Sequence, residues 1–170
     1  MSQEQAFDVI IEMLIQREYD ILDIDKFNMT ISAIKPDGKQ MSVFFNSSPK
    51  FDTKSMKDII SIMNENKIKH SLVIYTDNVT AATKSALSQS GEMRIELFAE
   101  EDLQYNITKH RLQPTFEKLS QKESETFKKE FGSKIGVLRC DKPISRFYDY
   151  EKGDVIRIIR DKYVTYRIVK

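Results

Sequence analysis

Tryptophan is absent from this 170-residue sequence, and cysteine and histidine nearly so: one cysteine, Cys140, and two histidines, His70 and His110. A lone cysteine excludes an internal disulfide and fits a reducing interior. With only two histidines beside it, the usual four-ligand Cys/His zinc site cannot be assembled. Cys140 reads better as a small buried apolar residue than as a nucleophile. His70, at the edge of a strand-like run, reads as a packed or partly exposed side chain rather than a base. The five glycines are scattered singly, so there is no phosphate-cradling loop. The carboxylates read as solvated charge on helix faces beside lysines. Neither sign of charge prevails: 27 basic against 26 acidic residues leave a net charge of +1. That balance excludes the global basic field of a free-standing DNA-binding protein. No run approaches the roughly 18 apolar residues of a membrane span. The opening MSQEQAFDVI lacks the basic and apolar regions of a signal peptide. The expectation is an intracellular protein with no membrane partner, no catalytic residue, no metal, no cofactor and no small-molecule substrate.

What is present is the composition of a folded protein, 40% apolar and 31% charged. The length suits one large domain or two small ones. Two small ones would each be marginal alone, which leaves room for a partner surface. Phe7, Ile10, Ile11 and Leu14 recur at helical spacing within a helix from Glu4 to Glu18. Met29–Ile34 and Gln40–Phe45 flank Lys35-Pro36-Asp37-Gly38-Lys39 and read as a hairpin. Asp52 offers an N-cap to a helix that carries Met56, Ile59, Ile60 and Met63 and ends near Asn66. His70–Tyr75 has the continuous apolar run of a buried strand. A helix from Thr80 to Gln89 and a strand Arg94–Phe98 complete a parallel strand–helix–strand unit.

Past Phe98 the pattern changes, and the domain boundary is placed near Ala99–Tyr105. Glu100–Asp102 fits a short helix and Asn106–Pro114 an extended segment. Ser120 with Glu123 makes a capping box for a helix that runs through Phe127 to Phe131 and stops at Gly132. After a turn at Lys142-Pro143, Asp154–Arg160 and Tyr163–Lys170 read as a hairpin about Asp161-Lys162. The predicted fold class is α/β: a small N-terminal jaw-like domain over residues 1–100, then a small mixed α/β assembly domain over 101–170 that ends in the hairpin. Asn106-Ile107-Thr108 matches the N-glycosylation pattern by chance. Lys67–His70 and Lys128-Lys129 are modest basic clusters, read as solvated surface with a DNA-backbone contact as the lesser alternative.

Several motifs past Phe98 occur together in an order and spacing that resemble RNA polymerase subunit five of eukaryotes, whose C-terminal domain has a counterpart in the archaeal enzyme. They are Phe98-Ala99-Glu100-Glu101-Asp102-Leu103, then Asn106-Ile107-Thr108-Lys109-His110 with Leu112-Gln113-Pro114, then Pro143-Ile144-Ser145-Arg146-Phe147-Tyr148. Gly153-Asp154-Val155-Ile156-Arg157-Ile158-Ile159-Arg160 and Val164-Thr165-Tyr166-Arg167-Ile168-Val169 follow that family's closing strands. Toward the N-terminus the likeness is fainter and rests on Arg17-Glu18-Tyr19, Lys54-Ser55-Met56-Lys57 and Leu72–Thr80. Departures exist: Lys142-Pro143 stands for Asp-Pro, Ile135-Gly136-Val137-Leu138 for Leu-Pro-Arg-Ile, and both the last turn and the N-terminal part are shorter. A divergent source fits these, such as a large DNA virus or a reduced eukaryote.

The resemblance implies a non-catalytic subunit of a multisubunit DNA-directed RNA polymerase. Its C-terminal domain would dock on the largest subunit and neighbouring subunits, and its N-terminal domain would lie beside downstream DNA with weak, non-specific contact. It implies a nuclear location in a cell, or a viral factory or virion for a virus. Expected interface residues are His110, Pro114, Pro143, Arg146, Gly153, Asp154, Arg157, Arg160, Tyr166 and Arg167. Arginine suits interface ion pairs through its planar donor fork, with plain surface charge as the bland alternative. The hairpin also has apolar residues on both alternations, Val155 with Ile156 and Ile158 with Ile159. That surplus fits a docked partner, or coverage of both faces by the Ser120–Phe131 helix and the Pro143 turn. The rival classes are a stand-alone nucleic-acid-binding module and a small α/β enzyme.

Overall fold

The computed structural model describes residues 3–46, 48, 50–87 and 91–170. The chain divides into two compact units, Met1–Tyr105 and Asn106–Lys170. Among the described residues, no helix is long and apolar enough to cross a membrane.

The first unit opens with α1 (Gln3–Gln16), which buries Phe7, Ile10, Met13 and Leu14 among others along one stripe. Strands β1 (Asp20–Asp25), β2 (Thr30–Ile34) and β3 (Gln40–Phe45) follow, then the short β4 (Lys50–Phe51) and α2 (Thr53–Glu65). β5 (His70–Tyr75), the short β6 (Asn78–Val79), α3 (Ala81–Leu87) and β7 (Arg94–Ala99) complete the order, before a 3-10 turn at Glu100–Leu103. The main sheet runs β1-β2-β3-β5-β7. Its first two pairings are antiparallel, and β3–β5 and β5–β7 are parallel, as the strand–helix–strand reading requires.

Local signals account for the turns. Gly38, at φ +86, donates its N–H to the Lys35 carbonyl at 2.9 Å and closes the expected hairpin. The Asp52 carboxylate accepts the Ser55 N–H at 2.9 Å and starts α2. Adjacent residues of β3 point to opposite faces. Phe44 and Val73, directly paired, join Phe51, Met56, Ile59, Met63 and Val79 in a core beneath α2. Phe45 faces the other way and stacks on Phe7 of α1 at 5.5 Å. The sheet is therefore covered on both faces. Fully buried Phe51 alone is worth about 1.5–3 kcal/mol by area.

One expectation needs correction here, and one reaches past the described residues. Asp20–Asp25 is a strand that the sequence pattern did not reveal, because three aspartates in six residues oppose strand propensity. They are tolerated because β1 is an edge with solvated side chains. The α3 helix is described only to Leu87, and Ser88 and Gln89 lie outside the described residues.

The second unit begins with a 3-10 turn at Ile107–Lys109 where an extended segment was expected. Asn106 Oδ1 accepts both the Thr108 N–H at 2.9 Å and its hydroxyl at 2.6 Å, and this cap folds the segment back. Then come β8 (Thr115–Lys118), α4 (Gln121–Phe131), β9 (Gly136–Leu138), α5 (Pro143–Phe147), β10 (Val155–Ile159) and β11 (Val164–Val169). The Ser120–Glu123 capping box forms, with Gly132 as the C-cap of α4 at φ +48. Lys142-Pro143 was read as a turn, but proline at the first helical position starts α5 instead. The sheet order is β8-β10-β11-β9, antiparallel except for β11 with β9. On one face Ile156, Ile158 and Val169 pack with Tyr150, Phe116, Leu138, Cys140 and Tyr148. On the other, Arg157 and Tyr166 stand opposite each other, and α4 lays Phe127 on Tyr166 with ring centres 4.4 Å apart.

Candidate subunit interface

The predicted interface residues fall into separate groups. His110 is exposed and Pro114 half-buried on the segment entering β8, where the His110 ring accepts the Leu112 N–H at 3.3 Å. Pro143 and Arg146 belong to α5, the first exposed and the second half-buried. Gly153 and Asp154 build the hairpin's entry. At φ +94, Gly153 donates to the Val169 carbonyl at 2.8 Å, while Asp154 accepts the Glu151 N–H at 2.8 Å and pairs with Lys118 at 2.8 Å. Arg160 lies at the hairpin turn, 5.9 Å from the Tyr163 ring centre.

Arg157 and Tyr166 share a face. The Arg157 Nε donates to Glu117 Oε2 at 2.9 Å, and its Nη2 reaches the same oxygen. Arg167 lies on the opposite face, exposed, with its side chain across Gly136; a Cβ at Gly136 would sit 2.7 Å from Nη1. Glycine thus makes room for the arginine at the one departure from Leu-Pro-Arg-Ile that removes a side chain.

Of the two readings of the hairpin's apolar surplus, the burial of β10 agrees with coverage by the chain itself. Val155, Ile156 and Ile158 are all buried. Exposed instead are Phe131, Val137, Tyr163 and Val164. Phe131 and Val164 line a groove of about 520 Å³ with Phe127, Ile135, Tyr166 and Arg167. Neither Phe131 nor Val164 was among the expected interface residues. Phe131, as the last residue of α4 before Gly132, carried the available signal, because a large aromatic at a helix end has no following turn to cover it.

The first unit holds its chemistry inside. Arg17, 4% exposed, gives two bonds to Glu96 at 3.0 and 3.1 Å. His70 Nε2 meets the same carboxylate at 2.5 Å, and the Tyr19 hydroxyl lies 3.5 Å from His70 Nδ1. Burial pushes the Glu96 carboxyl up, but the His70 hydrogen bond and the Arg17 charge outweigh it and hold the group at about 2. Glu96 corrects the reading of the carboxylates as solvated helix-face charge: it is on a strand and enclosed. Near the hairpin turn, Lys39, Lys67, Lys69 and His70 line a cleft of about 350 Å³. Lys39 pairs with Asp37 at 3.0 Å and Lys69 with Glu92 at 2.7 Å, so its positive field is largely compensated.

Residues 105–169, which include the sheet, α4 and the terminal hairpin, match the family described as RNA polymerase Rpb5, C-terminal domain. Over these residues the chain is similar to an RNA polymerase subunit. The chain is 29% identical over 182 residues to subunit rpabc1 of DNA-directed RNA polymerases I, II and III from Dictyostelium discoideum, covering 94% of this chain and 92% of that one. It is 39% identical over 112 residues to a proposed DNA-directed RNA polymerase subunit of Invertebrate iridescent virus 6, covering 58% of this chain and 60% of that one. The corresponding Caenorhabditis elegans subunit is 29% identical over 140 residues, covering 76% of this chain and 66% of that one. Over its second unit the chain resembles the Rpb5 C-terminal domain, and a viral protein is among its relatives.

Proposed function

We propose that this chain is a non-catalytic structural subunit of a multisubunit DNA-directed RNA polymerase. The unit Asn106–Lys170 docks on the largest subunit and its neighbours, and the unit Met1–Tyr105 lies beside downstream DNA. The observation that carries this reading is that the stretch matching the Rpb5 C-terminal domain also leaves an apolar groove open, between the end of α4 and β11. A groove edged by Phe131 and Val164 beside Phe127 and Tyr166 has the aromatic character of an interface core. His110, Pro114, Pro143 and Arg146 frame other parts of the same docking unit, and Gly153 and Asp154 act by shaping its hairpin. The DNA contact is weak, because the Lys39–Lys69 cleft carries its own counter-charges and neutralises few phosphates. The protein is found wherever its polymerase works, in the nucleus of a cell or in a viral factory or virion.

Affinity purification of the tagged chain from its native source tests the reading. Stoichiometric recovery of the two large polymerase subunits is expected, with loss of both in Val164→Asp and Phe131→Asp. Recovery of the chain alone at physiological salt overturns it, and tight, salt-steep DNA binding by the isolated chain favours a stand-alone nucleic-acid module instead.

A further inference from the structure

The outer edge of β1 is unpaired among the described residues, since the sheet ends there. It is neither flat nor polar throughout. Leu22, which has no register partner between Ile21 and Asp23, is a bulged residue that is 58% exposed. Beyond the strand, Phe27 is 94% exposed on a turn that is tightly fixed. Asp25 Oδ1 accepts the N–H of Phe27 at 2.9 Å and of Asn28 at 3.0 Å, and Oδ2 accepts from the Asn28 side chain at 2.6 Å. An aromatic held out on an ordered turn loses little freedom on binding, which is what an anchor residue needs.

The charge within the strand is all of one sign, and Lys26 stands just beyond it on the Phe27 turn. Glu18, Asp20, Asp23 and Asp25 have no basic residue between them, and none of the three aspartates forms an ion pair among the described residues. Asp20, Asp23 and Asp25 pair with Ile34, Ser32 and Thr30, so they line one face of the strand. A second copy adding through the same edge would set aspartates against aspartates, which is unfavourable. A purely apolar strand would leave them without a partner. A strand with cations on that face meets both the charge and the free N–H and C=O groups.

We propose that the β1 edge and the Phe27 turn form a docking site for an extended segment of another protein with lysine or arginine at alternate positions. The segment joins the sheet beside β1, with Phe27 and Leu22 as its apolar anchors. The site lies outside the groove assigned to polymerase docking and stands or falls independently of it.

The test is amide NMR of the full chain titrated with two capped heptapeptides, one alternating lysine with valine and one alternating glutamate with valine. The lysine peptide is expected to shift amides between Asp20 and Thr30, with binding weakened about tenfold in Phe27→Ala and severalfold in Asp23→Lys. Both side chains are solvated, so unchanged amides elsewhere show that the variants fold. The proposal is overturned if neither peptide binds, if both bind alike, if the shifts fall at Lys67–His70 instead, or if both variants keep wild-type affinity. It is also overturned if β1 amides shift with protein concentration alone, which would make the occupant a second copy.

Discussion

The two units of this chain treat charge in opposite ways. In the first, the Arg17 side chain is 1% exposed and is clamped by Glu96 inside the unit. In the second, the principal pair across the sheet, Arg157 with Glu117, has side chains 42% and 40% exposed. A buried pair ties the end of α1 to β7, two elements 79 residues apart, and its loss disrupts the fold. A surface pair decorates a sheet that apolar packing already holds. Both units have an apolar core, but the first adds a buried ion pair, whereas the pair across the second's sheet stays partly in water.

The largest effect that would undo this contrast comes from Glu96→Gln. It leaves the Arg17 guanidinium buried without its counter-charge, so a loss of about 3–5 kcal/mol is expected. Urea unfolding followed by far-UV circular dichroism at pH 7 measures it. Adding Arg17→Met should recover part of the loss, because an apolar side chain there leaves no charge stranded. The wild type also carries an acid signature. Glu96 is held at about 2, below the ordinary 4.5 of a glutamate, so the unfolded chain binds the proton more tightly. This stabilisation is complete above about pH 4.5 and is lost as pH falls toward 2. Glu96→Gln removes that slope, and an unchanged slope would mean that the acid sensitivity lies elsewhere.

The matching perturbation of the second unit is Ile156→Ala. Ile156 is fully buried beside Ile158, Tyr150 and Val169, and the cavity should cost about 3 kcal/mol. Hydrogen exchange of the β10 and β11 amides measures it, with no new dependence on acid. A pH-dependent loss of the Glu96→Gln kind would erase the distinction between the units.

What the sequence made legible follows the same divide between local and distant causes. Both helix caps could be read, because Asp52 with Ser55 and Ser120 with Glu123 are contacts within one turn. The terminal hairpin could be read from its alternation and short turn. β1 could not, because its acidic residues argue against a strand and only the edge position excuses them. The Arg17–Glu96 clamp joins residues far apart in the chain, and no spacing rule connects them. Likewise the open groove depends on how α4 ends over β11, so the apolar alternation of β10 pointed to residues that the chain itself covers.

Smaller effects refine the picture. The two caps are local and should not care which unit holds them. Asp52→Ala and Ser120→Ala are each expected to cost about 1 kcal/mol, measured by urea midpoint. A cap in one unit worth several times the other would show that its helix is held by little else.

The smallest effect bears most directly on what the surface arginines are for. A double-mutant cycle on Arg157 and Glu117 in the free chain should give a coupling of about 0.2–1 kcal/mol, screened by salt, because both side chains stay partly in water. The bond nonetheless fixes the guanidinium over the face shared with Tyr166, beside the helix that edges the groove. If the arginine serves an interface, Arg157→Ala should leave stability almost untouched and still reduce recovery of polymerase subunits in the affinity purification. If recovery is unchanged, Arg157 is ordinary surface charge, and the docking must rest on the apolar groove alone. A coupling of several kcal/mol in the free chain would mean that the second unit, like the first, depends on a specific ion pair, and the contrast between the two would fail.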